Sequence, residues 1–330
     1  MRPFDYRRSG DLAGALHMAQ SQHADYLAGG TTLIDLMKLD VMRPSTIVDI
    51  NGLAEDHGRI EHDDRSLRLG ALARMADVAD HPVINRDYPV IAQTMKLAAT
   101  AQLRNMASLG GNVLQRTRCN YFRDVQAGGC NKREPGSGCA ALDGVNRKHA
   151  VLGTSEHCIA AYPGDFAQAL IALDAQVEIS GEGGTRTIPM EQLHVLPGDT
   201  PQVETTLHYG ELITRFIVPA ASWTRRSLYV KVRDRQSYKF ALASAAVALD
   251  MDGDVIRQAR IAVGGVATKP WRARSAEAAL AGKRPSWPVF KAAAQAAFAD
   301  AAPRKGNAFK VALGQRTLIR ALRQATTLKV

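Results

Sequence analysis

The sequence predicts an α+β chain built as two units, and three observations carry that expectation. At 330 residues the chain has about twice the length of a common domain. Strand-like and helix-like stretches interleave up to about residue 222. Beyond that point strand-like runs come first and helices fill the remainder, as expected of a separate α+β unit. The composition, 46% apolar and 22% charged, lies near the globular average and excludes a disordered or fibrous chain.

Taken in order, Ser9 is placed to cap a helix near 10–21, with Leu12, Ala15, Leu16 and Ala19 on one face. Strand-like runs follow at 46–50 and 67–72. Helices are expected at 88–99 and 165–174, where Ala167, Leu170, Ile171 and Asp174 share a face. The stretches 175–180 and 211–218 read as strands on either side of the turn-rich LPGDTP at 196–201. The pattern changes at 220–226, which sets a boundary near Trp223. Strands are then expected at 227–232, 240–249 and 255–263, with helices dominating from 274 to 328. Past Asp300 the chain carries Arg304, Lys305, Lys310, Arg316, Arg320, Arg323 and Lys329 and no acid. That reads as a basic helical surface, either solvated or docking an acidic partner.

Lysine and arginine number 42 against 32 acids, a formal charge of +10. This favours an anionic ligand, nucleic acid or an acidic protein face without choosing among them. The longest nearly apolar run, 240–249, is broken by Ser244 and falls far short of the ~20 residues of a spanning helix, so no membrane role is expected. Arg7-Arg8 is followed by Ser9-Gly10-Asp11 where an apolar signal core would begin, and no export address is expected in the chain itself.

Cys119, Cys130, Cys139 and Cys158 fall within one 40-residue window, and no other cysteine occurs. Their spacing is C-x10-C-x8-C-x18-C, and the stretch between the first three is rich in Gly and Asn, with one Pro. An irregular loop of this kind can aim several sulfurs at one point. Structural zinc favours closely paired cysteines, which are missing here. Disulfides are little needed in a chain of this length with no signal peptide. An iron–sulfur cluster needs four thiolates and tolerates irregular spacing. Spacing alone leaves the three open. Arg116, Arg118, Arg123, Lys132 and Arg133 would stabilise thiolates or an anionic cluster, or form a solvated basic loop.

Two glycine pairs suggest a phosphate site. Tyr26-Leu27-Ala28-Gly29-Gly30-Thr31-Thr32-Leu33 reads as strand, tight turn and helix start, where unpaired N–H groups can meet an anion. Ala107-Ser108-Leu109-Gly110-Gly111-Asn112-Val113 repeats that chemistry. Each pair alone is weak evidence and more often an ordinary turn. Neither G-x-G-x-x-G after a strand nor G-x-x-x-x-G-K-[ST] occurs, so a nucleotide site here is of another type.

Together, YLAGGTTLIDLMK at 26–38, QLRNMASLGGNVLQRTRC at 102–119, GDFAQALIALDA at 164–175 and KVRDRQSYKFAL at 231–242 make the chain resemble the flavin-binding subunits of the molybdenum hydroxylases, the xanthine dehydrogenase and aldehyde oxidoreductase family. The resemblance covers essentially the whole chain. CNKREPGSGCAAL at 130–142 looks like the variant with an additional [4Fe–4S] cluster, found in periplasmic aldehyde oxidoreductases. It implies a vanillyl-alcohol-oxidase (PCMH)-type FAD-binding domain of two subdomains over 1–222, a cysteine loop inserted at about 116–160, and a C-terminal α+β domain over 223–330. Carried over by position, Tyr26, Leu27, Ala28, Gly29, Gly30, Thr31, Thr32 and Leu33 would wrap the FAD diphosphate. Ser108, Gly110, Gly111 and Asn112 would close the other side, and Leu114 would pack on the isoalloxazine. Asp165 would accept from adenosine or ribityl hydroxyls, a role compatible with its complementing a helix dipole. Ile213 and Lys231 would sit near the ring, where a cation favours the anionic reduced flavin. The bland alternative for Lys231 is a surface lysine. Cys119, Cys130, Cys139 and Cys158 would bind the cluster.

The resemblance also implies an oxidoreductase subunit without its own substrate site. A large molybdenum-cofactor subunit would oxidise an aldehyde, a small subunit with two [2Fe–2S] clusters would pass electrons on, and FAD would hand them to an acceptor. Localisation would be periplasmic as passenger of a signal-bearing partner, and otherwise cytoplasmic. The competing expectation is a zinc-stapled basic protein that binds nucleic acid, weakened by only 6% aromatic residues.

Overall fold

The computed structural model describes residues 1–21 and 23–330. Its first sheet is small and parallel. Strand β3 (Thr46–Asp49) lies between β1 (Asp5–Arg8) and β2 (Ala24–Leu27), with Thr46 opposite both Asp5 and Ala24. Strand β2 runs directly into the first glycine pair. The helix between β1 and β2 spans Leu12–Met18 rather than 10–21, and Asp11 caps it by accepting the Gly14 N–H at 2.7 Å. The Ser9 hydroxyl donates to the Asp11 carbonyl instead, which explains the shift.

The second sheet is antiparallel, in the order β4 (Ile60–His62), β5 (Ser66–Gly70), β8 (Leu212–Pro219), β6 (Gln176–Gly181) and β7 (Gly184–Pro189). Its inner face shares one core with the helices Pro89–Leu97 and Phe166–Ala172, where Met95, Leu170 and Phe216 are fully buried. Strand β5 ends at Gly70, short of the expected 72. The carbonyls of Ala71 and Ala73 accept the N–H groups of Gly110 (2.8 Å) and Leu109 (3.1 Å), so this backbone serves the second glycine segment.

The third sheet, order β12 (Trp271–Arg272), β11 (Val255–Gly264), β10 (Ala243–Asp252) and β9 (Ser227–Val232), is also antiparallel. Helices Arg274–Leu280, Trp287–Ala297 and Phe309–Thr326 cover it. Alternate residues of a strand face opposite ways. Ala245, Val247 and Leu249 enter the core under these helices, whereas Ala246 and Ala248 join the first core. Burial on both faces is why this stretch reads as one apolar run. The strand starts at Ala243 rather than 240, because Phe240 belongs to an exposed loop.

The cysteine segment joins a small core of its own to the C-terminal core. Cys119, Cys130 and Cys158 pack with Phe122 and with Leu36 of the helix Leu33–Lys38, whereas Val151 and Leu152 enter the C-terminal core and donate to the Val266 carbonyl. No described helix is long and apolar enough to cross a membrane.

Candidate functional site

At the first glycine pair, Gly30 has φ +70°, and a β-carbon on Gly29 would overlap the Met106 carbonyl. Chain and turn are thus forced together by glycine's lack of a side chain. Among the described residues, no hydrogen bond takes the N–H groups of Gly29, Gly30, Thr31 or Thr32. The helix Leu33–Lys38 begins immediately after them. Four consecutive free amides at a helix start can turn toward an anion.

The second pair corrects the expectation of a repeated nest. Gly110 and Gly111 lie inside a short helix, Leu109–Val113, capped by Ser108, whose Oγ accepts the Gly111 N–H at 3.3 Å. Leu109 and Gly110 donate to Ala73 and Ala71, and Asn112 to Ser108. With its amides satisfied, this segment is a wall.

Two chambers meet at Thr31 and Thr32, which line both. The smaller, about 200 Å³, is walled by Tyr26, Ala28, Gly29, Gly30, Leu33, Ser108, Gly110, Gly111, Leu114 and Ile213. Leu27 does not line it. The larger, about 830 Å³, takes in Asn112, Asp165 and Lys231. Leu114 and Ile213 line the smaller chamber and Lys231 the larger. The Asn112 Oδ1 is buried without a partner, while its amide nitrogen lies 3.4 Å from the Met75 sulfur.

Lys231 is neither a surface lysine nor a free cation. Its side chain is 1% exposed, with Nζ 2.6 Å from Asp165 Oδ2 and donating to the Leu97 carbonyl at 3.1 Å. Tyr229 donates its hydroxyl to Asp165 Oδ1 at 2.6 Å, and burial followed by that carboxylate pushes the phenol well above its ordinary range. Asp165 occupies the N-cap of Phe166–Ala172 without capping it, because both oxygens are engaged elsewhere.

Several site residues escaped sequence reasoning. Asp25 and Glu211 line the smaller chamber. Burial raises Asp25 against the pull of Arg116. Glu211 is held down to about 2, chiefly by Arg186, whose guanidinium grips both of its oxygens at 2.9 and 2.7 Å. Asp35, also missed, lines the larger chamber with Arg118 and Arg123, the two arginines expected beside the cysteines. Both arginines bond Asp35 on the Leu33–Lys38 helix, at 3.1 and 2.9 Å, and Arg118 stacks 4.9 Å over Phe240. Partners that distant in sequence leave no local signal.

All four cysteines are free and line one small cavity of about 10 Å³. Cys130 and Cys139 face each other across an antiparallel bridge, fastened by Asn131 N–H to Gly138 (2.7 Å) and Ala140 N–H to Gly129 (3.0 Å). Among the described residues, no three His, Cys, Asp or Glu side chains converge to hold a single metal ion. Four sulfur donors are the ligand set of an iron–sulfur cluster, and their long spacing is unlike the close pairs of structural zinc. Burial pushes the Cys119 thiol up to about 12 and that of Cys158 up to about 11. Such thiols are poor nucleophiles, yet a coordinating metal deprotonates them outright. His149, also missed, places Nε2 3.1 Å from Cys119 Sγ.

The basic residues of this loop are engaged by protein groups rather than left to meet nucleic acid, although Lys132 still pulls the Cys158 thiol down against its burial. Arg116 and Lys132 both pair with half-buried Glu204, overcoming the cost of its burial and lowering its pKa. Arg118 and Arg123 serve Asp35, and Arg133 donates to the carbonyls of Tyr121, Phe122, Asp124 and Gly128. The nucleic-acid alternative finds no support in this arrangement.

A family described as the FAD binding domain in molybdopterin dehydrogenase matches residues 2–221, and one described as the CO dehydrogenase flavoprotein C-terminal domain matches 228–325. The aldehyde oxidoreductase FAD-binding subunit PaoB of Escherichia coli K12 is 46% identical over 98% of this chain and 99% of its own. The carbon monoxide dehydrogenase medium chain of Hydrogenophaga pseudoflava is 26% identical over 92% of this chain and 89% of its own. A solved structure of carbon monoxide dehydrogenase from that organism aligns with a TM-score of 0.77 at 26% identity, covering 98% of this chain and 97% of the other.

Proposed function

Because the chain belongs to the family of FAD-binding subunits of the molybdenum hydroxylases, we propose that it holds FAD across its two chambers and a [4Fe–4S] cluster on Cys119, Cys130, Cys139 and Cys158. Its function is to carry electrons from partner iron–sulfur clusters to an external acceptor. The partners are a small subunit with two [2Fe–2S] clusters and a large subunit whose molybdenum cofactor oxidises an aldehyde. Near-full-length identity to an aldehyde oxidoreductase subunit supports the substrate class. The heterotrimer would reach the periplasm as cargo of a signal-bearing partner.

One observation carries the flavin assignment: the unpaired amides of Gly29 to Thr32 stand where the two chambers join. An extended dinucleotide held there by its diphosphate leaves one end for each chamber. Leu114 and Ile213 offer the smaller chamber's apolar faces to adenine, with Ser108, Gly110 and Gly111 as its wall. The larger chamber takes the isoalloxazine and, within it, Asn112 Oδ1 accepts a donor that the protein does not supply. Lys231 and Asp165 hold a fixed, buried dipole there. Bound FAD supplies a carrier that exchanges electrons singly or in pairs. In this arrangement, residues 1–222 form the FAD-binding unit with the cysteine insert at about 116–160, and residues 223–330 form the C-terminal unit.

The test is to purify the chain with and without its partners and add aldehyde under anaerobic conditions. Flavin bleaching only in the complex supports the assignment. Bleaching in the isolated chain would relocate the substrate site into this subunit.

A further inference from the structure

His149 lies thirty residues from Cys119 in sequence and is 5% exposed. Its Nε2 stands 3.1 Å from Cys119 Sγ, while Nδ1 is buried with no partner. A neutral imidazole has one N–H, and a buried N–H without an acceptor is costly. Among the described residues the sulfur is the group within hydrogen-bond reach of Nε2, and a neutral ring that donates to it carries its proton there.

The ring is held in that pose from a distant element. Asn307 donates to the Ala150 carbonyl at 2.9 Å, and fully buried Lys310 donates to the carbonyls of Lys148 (3.1 Å), His149 (2.9 Å) and Gly265 (2.5 Å). His149 N–H donates to Asn146, whose side-chain amide in turn bonds Ala141, close to Cys139. Asn307 and Lys310 stand at the start of the last helix, which thereby fixes the imidazole against the cysteine cavity.

We infer that His149 is a positioning residue that donates its Nε2–H to the Cys119 sulfur and, through that hydrogen bond, raises the reduction potential of the cluster bound there. The inference rests on the cluster assignment. Hydrogen bonds to cluster sulfurs stabilise the more electron-rich reduced form, and such outer contacts tune a metal site beyond its ligands.

The full chain, isolated with its partners, is compared with His149→Phe, which keeps a ring but no donor, and His149→Gln, which restores an N–H near the same place. Iron per FAD is measured, and the cluster is titrated by EPR against a series of potentials. The expected result is iron retained in both variants, a negative shift in the Phe variant, and a value near the parent in the Gln variant. A tenfold weaker reduction equilibrium would read as about 59 mV for one electron. Iron lost from the Phe variant but kept by the Gln variant at the parental potential also supports the donor role. An unchanged potential in an iron-replete Phe variant, a Gln variant that behaves like Phe, or iron lost from both variants overturns the inference. Iron missing from the parent itself would fail the cluster assignment, a distinguishable result.

Discussion

The α-carbon of Gly29 packs directly against the carbonyl of Met106, so that the two glycine segments meet backbone to backbone. The first segment can aim four amides at an anion because the second, already satisfied by Ala71 and Ala73, buttresses it. Gly29→Ala must push these strands of backbone apart, at a cost of about 1–3 kcal/mol. The variant should lose FAD and melt earlier, as read by flavin content and thermal denaturation. Gly183→Ala, whose β-carbon meets nothing within 4 Å, is the control and should change neither.

Lys231 and Asp165 form a pair with side chains 1% and 5% exposed. Lys231→Met leaves a buried carboxylate without its cation, which typically costs about 3–5 kcal/mol. Lys231→Met combined with Asp165→Asn should recover much of that loss, because the uncompensated charge is gone. Urea denaturation of the parent and the two variants checks the ordering.

Glu211 carries a pH signature. Its folded pKa of about 2 lies below the ordinary 4.5, mainly through Arg186, so the contribution is complete above 4.5 and disappears as the pH falls through about 2. With the Arg186 side chain 34% exposed, screening reduces the effect to about 1–2 kcal/mol. Denaturant midpoints measured from pH 6 down to about 2 should fall less steeply for Glu211→Gln than for the parent.

How far the sequence foretold this site depends on the separation of its partners. The strand–turn–helix at 24–38 is legible because glycine pair, flanking periodicity and helix start all lie in one window. The Leu109–Val113 helix is not, since a glycine pair argues for a turn and the stabilising carbonyls come from residues 71 and 73. The cysteine window is equally visible, but the commitments of its arginines are not. Arg116 finds Glu204 and Arg123 finds Asp35 only after folding. The same holds for Asp165, whose lysine lies 66 positions away and converts an apparent helix-dipole acid into half of a buried ion pair. The α+β class survives these local errors because it rests on many periodic segments at once.

Cys158→Ser separates a relay from a staple. Removing this buried sulfur should abolish the broad cluster absorption and lower the melting temperature, given that Cys158 packs in the same small core as Phe122 and Leu36. If the cluster relays electrons, aldehyde turnover in the complex falls with the iron. Full turnover with lowered stability assigns the cluster a structural role.

The central claim is that one chain holds a dinucleotide on the amides of Gly29 to Thr32 and a cluster on its four cysteines. The most direct measurement is the visible spectrum of the purified full chain, together with its flavin and iron content. The expected protein is brown, with one FAD and about four iron atoms per chain. A colourless protein that takes up neither FAD nor iron on anaerobic reconstitution would contradict the claim.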